Sequence, residues 1–276
     1  MTALHLFILA IVQGITEFLP ISSSGHLVLV PVLTGWQDQG LMIDVSVHIG
    51  TLVAVLIYFR DDAKGLFLAG LGVVGVGPAR RATDGTIYGK LFWAIVIATI
   101  PAVMIGFAVK VTGLADLMRG AAVIATTSIV FGLLLYWADK VGATDKTLER
   151  MAVKPALLVG LAQVLALIPG TSRSGITMTA ARYLGFSRQD AARFSLLLSI
   201  PTILGAGVLL GKDVLEGGDQ ILWVHAAFGA GLSCLAAIAA IHFLMKWLAH
   251  ANMTIFVAYR VALGLFLFAL IAGGVI

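Results

Sequence analysis

The sequence predicts an all-α polytopic membrane protein of six spanning helices and two re-entrant helical hairpins, arranged as inverted-topology repeats. Three observations carry that expectation. Hydrophobic residues make up 60% of the 276-residue chain and Asp, Glu, Lys and Arg only 12%, roughly half the charged share of a typical soluble domain, and mean hydropathy is +1.03. The charges cluster between apolar runs long enough to cross a hydrocarbon core of roughly 30 Å. Two further apolar stretches carry polar, Pro- and Gly-containing centres, so neither can be an uninterrupted lipid-facing helix.

The spans are expected at about 45–60, 91–109, 121–138, 191–211, 222–246 and 254–275. The interrupted stretches are 5–35, centred on PISSSGH at 20–26, and 155–185, centred on PGTSRSG at 169–175. Backbone that leaves the helix at membrane depth must be buried in protein or line a wet cavity, which makes each stretch a hairpin and each centre a candidate site. The two resemble each other at an offset of 150 residues: Gln13 matches Gln163, Ser22 matches Ser172, Ser24 matches Ser174 and Gly25 matches Gly175. One residue of slippage then aligns IGTLVAVL at 49–56 with IPTILGAG at 200–207. We read one membrane domain over 1–276 with an internal repeat, the first copy about 1–138 and the second about 151–276.

Orientation follows from the basic residues. With the 60–90 loop in the cytoplasm, 14 of the 18 Lys and Arg residues fall on that side, among them Arg60, Arg80, Lys90, Arg182, Arg193 and Arg260, while Lys110, Arg119 and Lys212 fall outside. Both termini then face outward, the first hairpin enters from the outer side and the second from the cytoplasmic side, and their tips meet near the midplane. These basic residues are spread over loops without aromatic interleaving, which speaks against nucleic acid as a partner. The single cysteine, Cys234, rules out an intrachain disulfide framework. The apolar start, MTALHLFILAIVQG, has no basic n-region and reads as retained structure. The Gly-rich 65–78 stretch and the 139–154 loop read as mobile connectors.

Gln13 and Glu17 are four residues apart, on one helix face, and Pro20 with the serine run breaks that helix. An ionised carboxylate inside a membrane needs a cation, a metal or a protonated partner; the alternative is a hydrogen-bonded strut for the hairpin. His26 closes the same turn, where its imidazole is expected to face Glu17. In the second tip, Arg173 sits among Thr171, Ser172 and Ser174, with glycines that let backbone N–H groups approach a ligand. Such a turn suits an anion: a guanidinium binds phosphate bidentately, and the N-terminus of the following helix adds to it. One acid, one imidazole, one guanidinium and several hydroxyls around a gap read as phosphoryl chemistry.

QGITEFLPISSSGH at 13–26 and PGTSRSGIT at 169–177 resemble the two signature motifs of the bacterial undecaprenyl pyrophosphate phosphatases, the bacitracin-resistance membrane family. The resemblance covers the whole chain in length and span order. It implies hydrolysis of undecaprenyl pyrophosphate to undecaprenyl phosphate and inorganic phosphate, which recycles the lipid carrier for peptidoglycan synthesis. It also implies a multi-pass protein of the bacterial plasma (inner) membrane, with the site opening outward, a divalent cation such as Mg or Ca, and a homodimer. Carried over onto this chain, Gln13 and Glu17 form the first motif's pair and the expected metal ligands, with Ser22, Ser23 and His26 in the following turn. Ser172, Arg173 and Thr177 match the second motif's phosphate-facing positions, to which the local reading adds Thr171 and Ser174. Many members look to have Glu at position 13, so the amide there is expected to orient water or the pyrophosphate, leaving Glu17 as the principal carboxylate. A different, acid-phosphatase-like class would need His and Asp where Thr179 and Tyr183 stand.

Glu17, His26, Arg173 and Ser23 are thus the expected catalytic residues. The attacking group is water activated through Glu17, or His26 or Ser23 forming a phospho-enzyme; His26 is preferred, because a serine needs an adjacent base. The rival reading is a transporter or flippase of a polyprenyl phosphate lipid, since inverted repeats with broken helices are also transporter architecture. His48, in the helix after the first hairpin, is a further residue within reach of the site.

Overall fold

Prolines, glycines and two left-handed serines set the element boundaries along the chain. The computed structural model describes residues 2–36, 40–113, 118, 120–217 and 220–276; at 28, 32, 209–217 and 220–222 only the backbone is described. Arg119, expected on the outer side, lies outside the described residues, as does the side chain of Lys212. In order the helices are α1 (Ala3–Thr16), α2 (Ser23–Thr34), α3 (Leu41–Tyr58), α4 (Arg60–Val73), α5 (Gly77–Thr83) and α6 (Ile87–Thr112). There follow α7 (Ala121–Val141), α8 (Val153–Val164) with a 3-10 turn at Leu165–Leu167, α9 (Arg173–Tyr183), α10 (Arg188–Gly217), α11 (Gln220–His250) and α12 (Thr254–Ala272).

Among the described residues, six segments are long and apolar enough to cross a membrane: Leu41–Tyr58, Ile87–Thr112, Ala121–Val141, Arg188–Val208, Trp223–His250 and Thr254–Ala272. They match the expected spans, shifted by a few residues at their ends. By contrast α1, with 14 residues, is about 21 Å long and cannot span. Phe107, Leu133, Leu235 and Leu265 are more than half exposed, an apolar belt that needs lipid around it. Inside, Phe18, Met178, Leu196, Ile241 and Leu244 are fully buried in one cluster, so residues of both interrupted segments contribute to the core between the spans.

Those segments break in the same way. Ser22 (φ 75°) and Ser172 (φ 69°) are the non-glycine residues with positive φ among those described. Each stands just before a helix and accepts from a backbone N–H three residues on, Gly25 N at 3.4 Å and Gly175 N at 3.1 Å. Each also pairs its hydroxyl with the serine two residues later, Ser24 and Ser174, at 3.4 and 3.2 Å. The 150-residue offset seen in sequence is therefore repeated in local geometry. The turns also meet: Ser174 Oγ donates to the Leu19 carbonyl at 3.0 Å.

At one end of the molecule the helix ends are tied by ion pairs. Asp139 Oδ1 accepts from Arg182 Nε at 2.9 Å and Arg188 Nε at 2.8 Å, and Oδ2 accepts from Met253 N at 3.2 Å. Arg182 is wholly buried and also donates to the carbonyls of Asp139, Gly142, Ala143 and Phe186. Asp62 at the start of α4 takes Arg193 of α10.

Two expectations are corrected here. The 65–78 stretch is not a bare connector, because α4 and the start of α5 cover most of it; Gly65, Gly70 and Gly72 serve close packing, and a Cβ on Gly65 would enter the Tyr88 ring. The 139–154 loop is pinned by Lys146, whose backbone pairs with Gly185 and Ser187 and whose Nζ donates to Leu184 O at 2.6 Å. Asp139→Ala should lower stability by about 3–5 kcal/mol, because it strands the buried Arg182 charge; the midpoint of thermal unfolding in detergent checks this.

Candidate active site

The last turn of α1 and the first turns of α2 and α9 converge on one carboxylate. Glu17 is 7% exposed. Its Oε1 accepts from Arg173 Nη2 at 3.0 Å; its Oε2 accepts from Gln13 Nε2 at 3.0 Å and from the Ser23 hydroxyl at 2.6 Å. The expected four-residue stacking of Gln13 on Glu17 is realised, and Arg173 crosses from the second turn to complete a buried ion pair. His48 of α3 brings Nε2 to 3.7 Å from Glu17 Oε2. Its Nδ1 lies 2.7 Å from the Asp44 carbonyl, which can only accept, so Nδ1 carries the proton and Nε2 is the nitrogen turned toward Glu17.

Glu17, Ser23, His48 and Arg173 border a cavity of about 380 Å³. Glu17, Ser23, Ser24, Ser172 and Arg173 form its polar end; Leu41, Val45, Ile49, Ile203 and Ala206 form an apolar wall, with Asp44, His48 and Thr202 also on the lining. Because α2 begins at Ser23 and α9 at Arg173, two helix N-termini open onto the polar end, an arrangement that favours an anion.

Beneath the turns lies an arginine that sequence reading placed with the cytoplasmic loops. Arg260 lies within α12, wholly buried, because that helix starts at Thr254 and carries it well into the span. It donates to Thr171 O at 2.9 Å, Gly170 O at 3.0 Å, Ser128 O at 3.1 Å, Thr127 O at 3.2 Å and Pro20 O at 3.5 Å. Carbonyls freed by both broken helices are thus satisfied by one guanidinium. No periodicity or motif marks Arg260 for this task.

The remaining expected site residues divide. Gln13 is fully buried and touches Glu17, but does not border the cavity. Ser22, Ser174 and Thr177 spend their hydroxyls on the turns and on Ser195, with Thr177 Oγ1 at 2.7 Å from Ser195 Oγ, and Thr171 is fully buried behind Arg173. Of these four, Ser22, Ser174, Thr177 and Thr171, none but the neighbouring Ser172 position reaches the cavity lining; the hydroxyls of Ser22, Ser174 and Thr177 hold the loops in shape, whereas the Thr171 hydroxyl is buried without a hydrogen-bond partner among the described residues.

His26 does not face Glu17. Its Nδ1 lies 2.6 Å from the Ser22 carbonyl and its Nε2 2.5 Å from the Tyr259 hydroxyl. A carbonyl cannot donate, so Nδ1 carries the proton and the neutral ring's lone pair on Nε2 takes the Tyr259 O–H. The imidazole lone pair is occupied, whereas Ser23 has the adjacent base whose expected absence had argued against it. Tyr259, Asp44, Ser195 and Thr202 escaped sequence reading altogether, because each comes from a span whose polar residues have no motif around them.

A divalent cation can be tested against the donors present. Gln13 Oε1 is buried without a hydrogen-bond partner among the described residues, on the amide whose Nε2 donates to Glu17 Oε2. No group of three or more His, Cys, Asp or Glu side chains is arranged for a metal among the described residues. Of Glu17 and Gln13, the carboxylate lies on the cavity lining and the amide does not, so the carboxylate is the group that fits a cation taking its other ligands from phosphate oxygens and water, as Mg²⁺ commonly does.

Fold and site together define a multi-pass α-helical membrane protein with a cavity lined by a carboxylate, a guanidinium and serine hydroxyls at the junction of two broken helices. The chain matches the family described as bacitracin resistance protein BacA over residues 6–266. It is 48% identical over 267 residues to an undecaprenyl-diphosphatase of Roseobacter denitrificans, covering 97% of this chain and 98% of the relative. It is 49% identical over 264 residues to one of Alteromonas mediterranea, covering 96% and 97%, and 47% identical over 267 residues to one of Ruegeria pomeroyi, covering 97% and 98%. The chain belongs to the bacitracin resistance protein BacA family.

If Ser23 rather than His26 is the attacking side chain, a rapidly quenched reaction should yield an acid-stable, alkali-labile phosphoserine adduct. An acid-labile phosphohistidine would contradict the geometry.

Proposed function

We propose that the protein is an undecaprenyl-diphosphatase of the bacterial inner membrane, hydrolysing undecaprenyl diphosphate to undecaprenyl phosphate and inorganic phosphate. The observation that carries this is the Ser23 hydroxyl at 2.6 Å from Glu17, with Arg173 at 3.0 Å on the same carboxylate. A serine paired with a base is an activated nucleophile, and the guanidinium supplies charge for a transferring phosphoryl group.

The diphosphate competes with Glu17 for Arg173 and lies against the N-termini of α2 and α9, while the first prenyl units rest on Leu41, Val45, Ile49 and Ile203. Ser23 Oγ attacks the terminal phosphorus as its proton passes to Glu17 Oε2. The bond from that phosphorus to the bridging oxygen breaks, and undecaprenyl phosphate leaves with the bonding electrons. Glu17 yields its proton to solvent, then takes one from a water that attacks the phosphoserine and passes it to Ser23 Oγ as the bond from that oxygen to phosphorus breaks, releasing inorganic phosphate and restoring both Ser23 and the Glu17 carboxylate. Glu17, with Gln13 behind it on the same helix face, would hold a divalent cation, which would supply charge neutralisation at the phosphates.

The matched turns at Ser22 and Ser172 support hairpins inserted from opposite faces, with repeats at about 1–138 and 151–276. The gathering of Arg182, Arg188, Arg193 and Lys146 at one end supports that end as cytoplasmic; the site then opens outward and both termini lie outside. The family resemblance supports a homodimer. A flippase has no use for a nucleophile and base in contact, which favours the hydrolase.

Phosphate release by purified protein in detergent is the test. Glu17→Gln and Ser23→Ala should each lower kcat about 10²- to 10⁴-fold, and Arg173→Lys should lose less than Arg173→Ala. Lipid movement across vesicles without phosphate release would overturn the reading. Chelation should abolish activity, and Gln13→Glu should lower the cation concentration needed for half-maximal rate, because it adds a second carboxylate.

A further inference from the structure

The reaction leaves a second cavity unused. Between α4, α5 and the start of α6 lies a space of about 520 Å³, at the end of the molecule where Asp62 of α4 pairs with Arg193. Glycines bring its walls together: a Cβ on Gly72 would fall 2.8 Å from Arg80 Cα, and one on Gly89 would fall 3.0 Å from the Thr83 carbonyl oxygen. The lining sets Arg80 and Lys90 beside Phe92 and Trp93, and Asp84 is the one acid on it. Neither Arg80 nor Lys90 has an ion-pair partner among the described residues. Next to this charge the surface is apolar: Phe67 is 67% exposed, Val74 75% and Trp93 50%.

We propose that this cavity binds the headgroup of an anionic phospholipid from the leaflet on the basic-loop side. Two cations against one carboxylate leave one net positive charge, the match for a monoanionic phosphodiester, which Arg and Lys hold through charge-assisted hydrogen bonds. α4 leaves the chain directly after the α3 span, separated from it only by Phe59, so the cavity sits at the depth of lipid headgroups. There Phe67, Val74 and Trp93 meet the acyl chains, as amphipathic interfacial segments do. A site for a small soluble anion would have no need of that apolar rim.

The test is native mass spectrometry of the full-length protein released from detergent containing equimolar phosphatidylglycerol and phosphatidylcholine of the same acyl chains. The wild type should retain one phosphatidylglycerol in preference by about fivefold or more. Arg80→Gln with Lys90→Gln should lower that retention on the order of tenfold, while Arg80→Lys with Lys90→Arg keeps it. Arg81→Gln should also keep it, because that guanidinium is turned onto its own Gly77 carbonyl. Phosphate release by the Gln double variant should stay within about twofold of wild type, since neither residue touches the Glu17 cavity. Equal retention of the two lipids by the wild type overturns the proposal without recourse to any variant. So does an equal loss on Arg81→Gln, which would mean diffuse surface charge. Displacement of the lipid by millimolar inorganic phosphate would mark a free-anion site instead.

Discussion

A buried carboxylate has to be met by donors and by opposite charge, and in this protein both broken helices are organised around meeting that need for Glu17. Gln13 and Ser23 reach it from the first segment, Arg173 from the second, and His48 approaches from the first span. In a buried pair the cost of desolvation roughly cancels the Coulombic attraction, so the Glu17–Arg173 contact contributes little net stability. Its importance is geometric. It holds the two turns in register, and it keeps Arg173 on a partner that an incoming phosphate can replace.

The turns that deliver these groups are themselves unfavourable conformations. A serine in the left-handed region costs about 1–3 kcal/mol, and a helix broken inside the membrane leaves carbonyls without partners. The compensation comes from elsewhere in the chain. Arg260 collects carbonyls from Pro20, Thr127, Ser128, Gly170 and Thr171, and Ser174 bonds across to Leu19. The polar end of the cavity is therefore a rigid frame: the hydroxyls of Ser22, Ser174 and Thr177 shape backbone, and Ser23 and Arg173 are left to face a ligand.

Much of this was legible beforehand. Apolar run length located all six spans, because a bilayer demands a minimum stretch of hydrocarbon-compatible side chains regardless of fold. PISSSGH and PGTSRSG announced two breaks, since Pro and Gly with clustered hydroxyls cannot continue a lipid-facing helix. The pairing of Gln13 with Glu17 followed from helical spacing. His26 was misjudged: nearness to Glu17 along the chain says nothing about which way a ring turns, and a hydroxyl 233 residues away on Tyr259 claims its lone pair. The 65–78 stretch was misjudged because glycine signals both mobility and close packing, and only the presence of Tyr88 opposite Gly65 distinguishes them.

The one-dimensional pattern determined the class of protein, the number of crossings and the identity of the two breaks, all of which depend on local composition and period. Tertiary structure alone decided that Ser23 rather than His26 has the base, that Arg173 meets Glu17 across 156 residues, and that Arg260 belongs to the frame of the site. The physical reason is directional: a hydrogen bond depends on where a donor points, and at membrane depth that direction is set by which distant helix packs alongside.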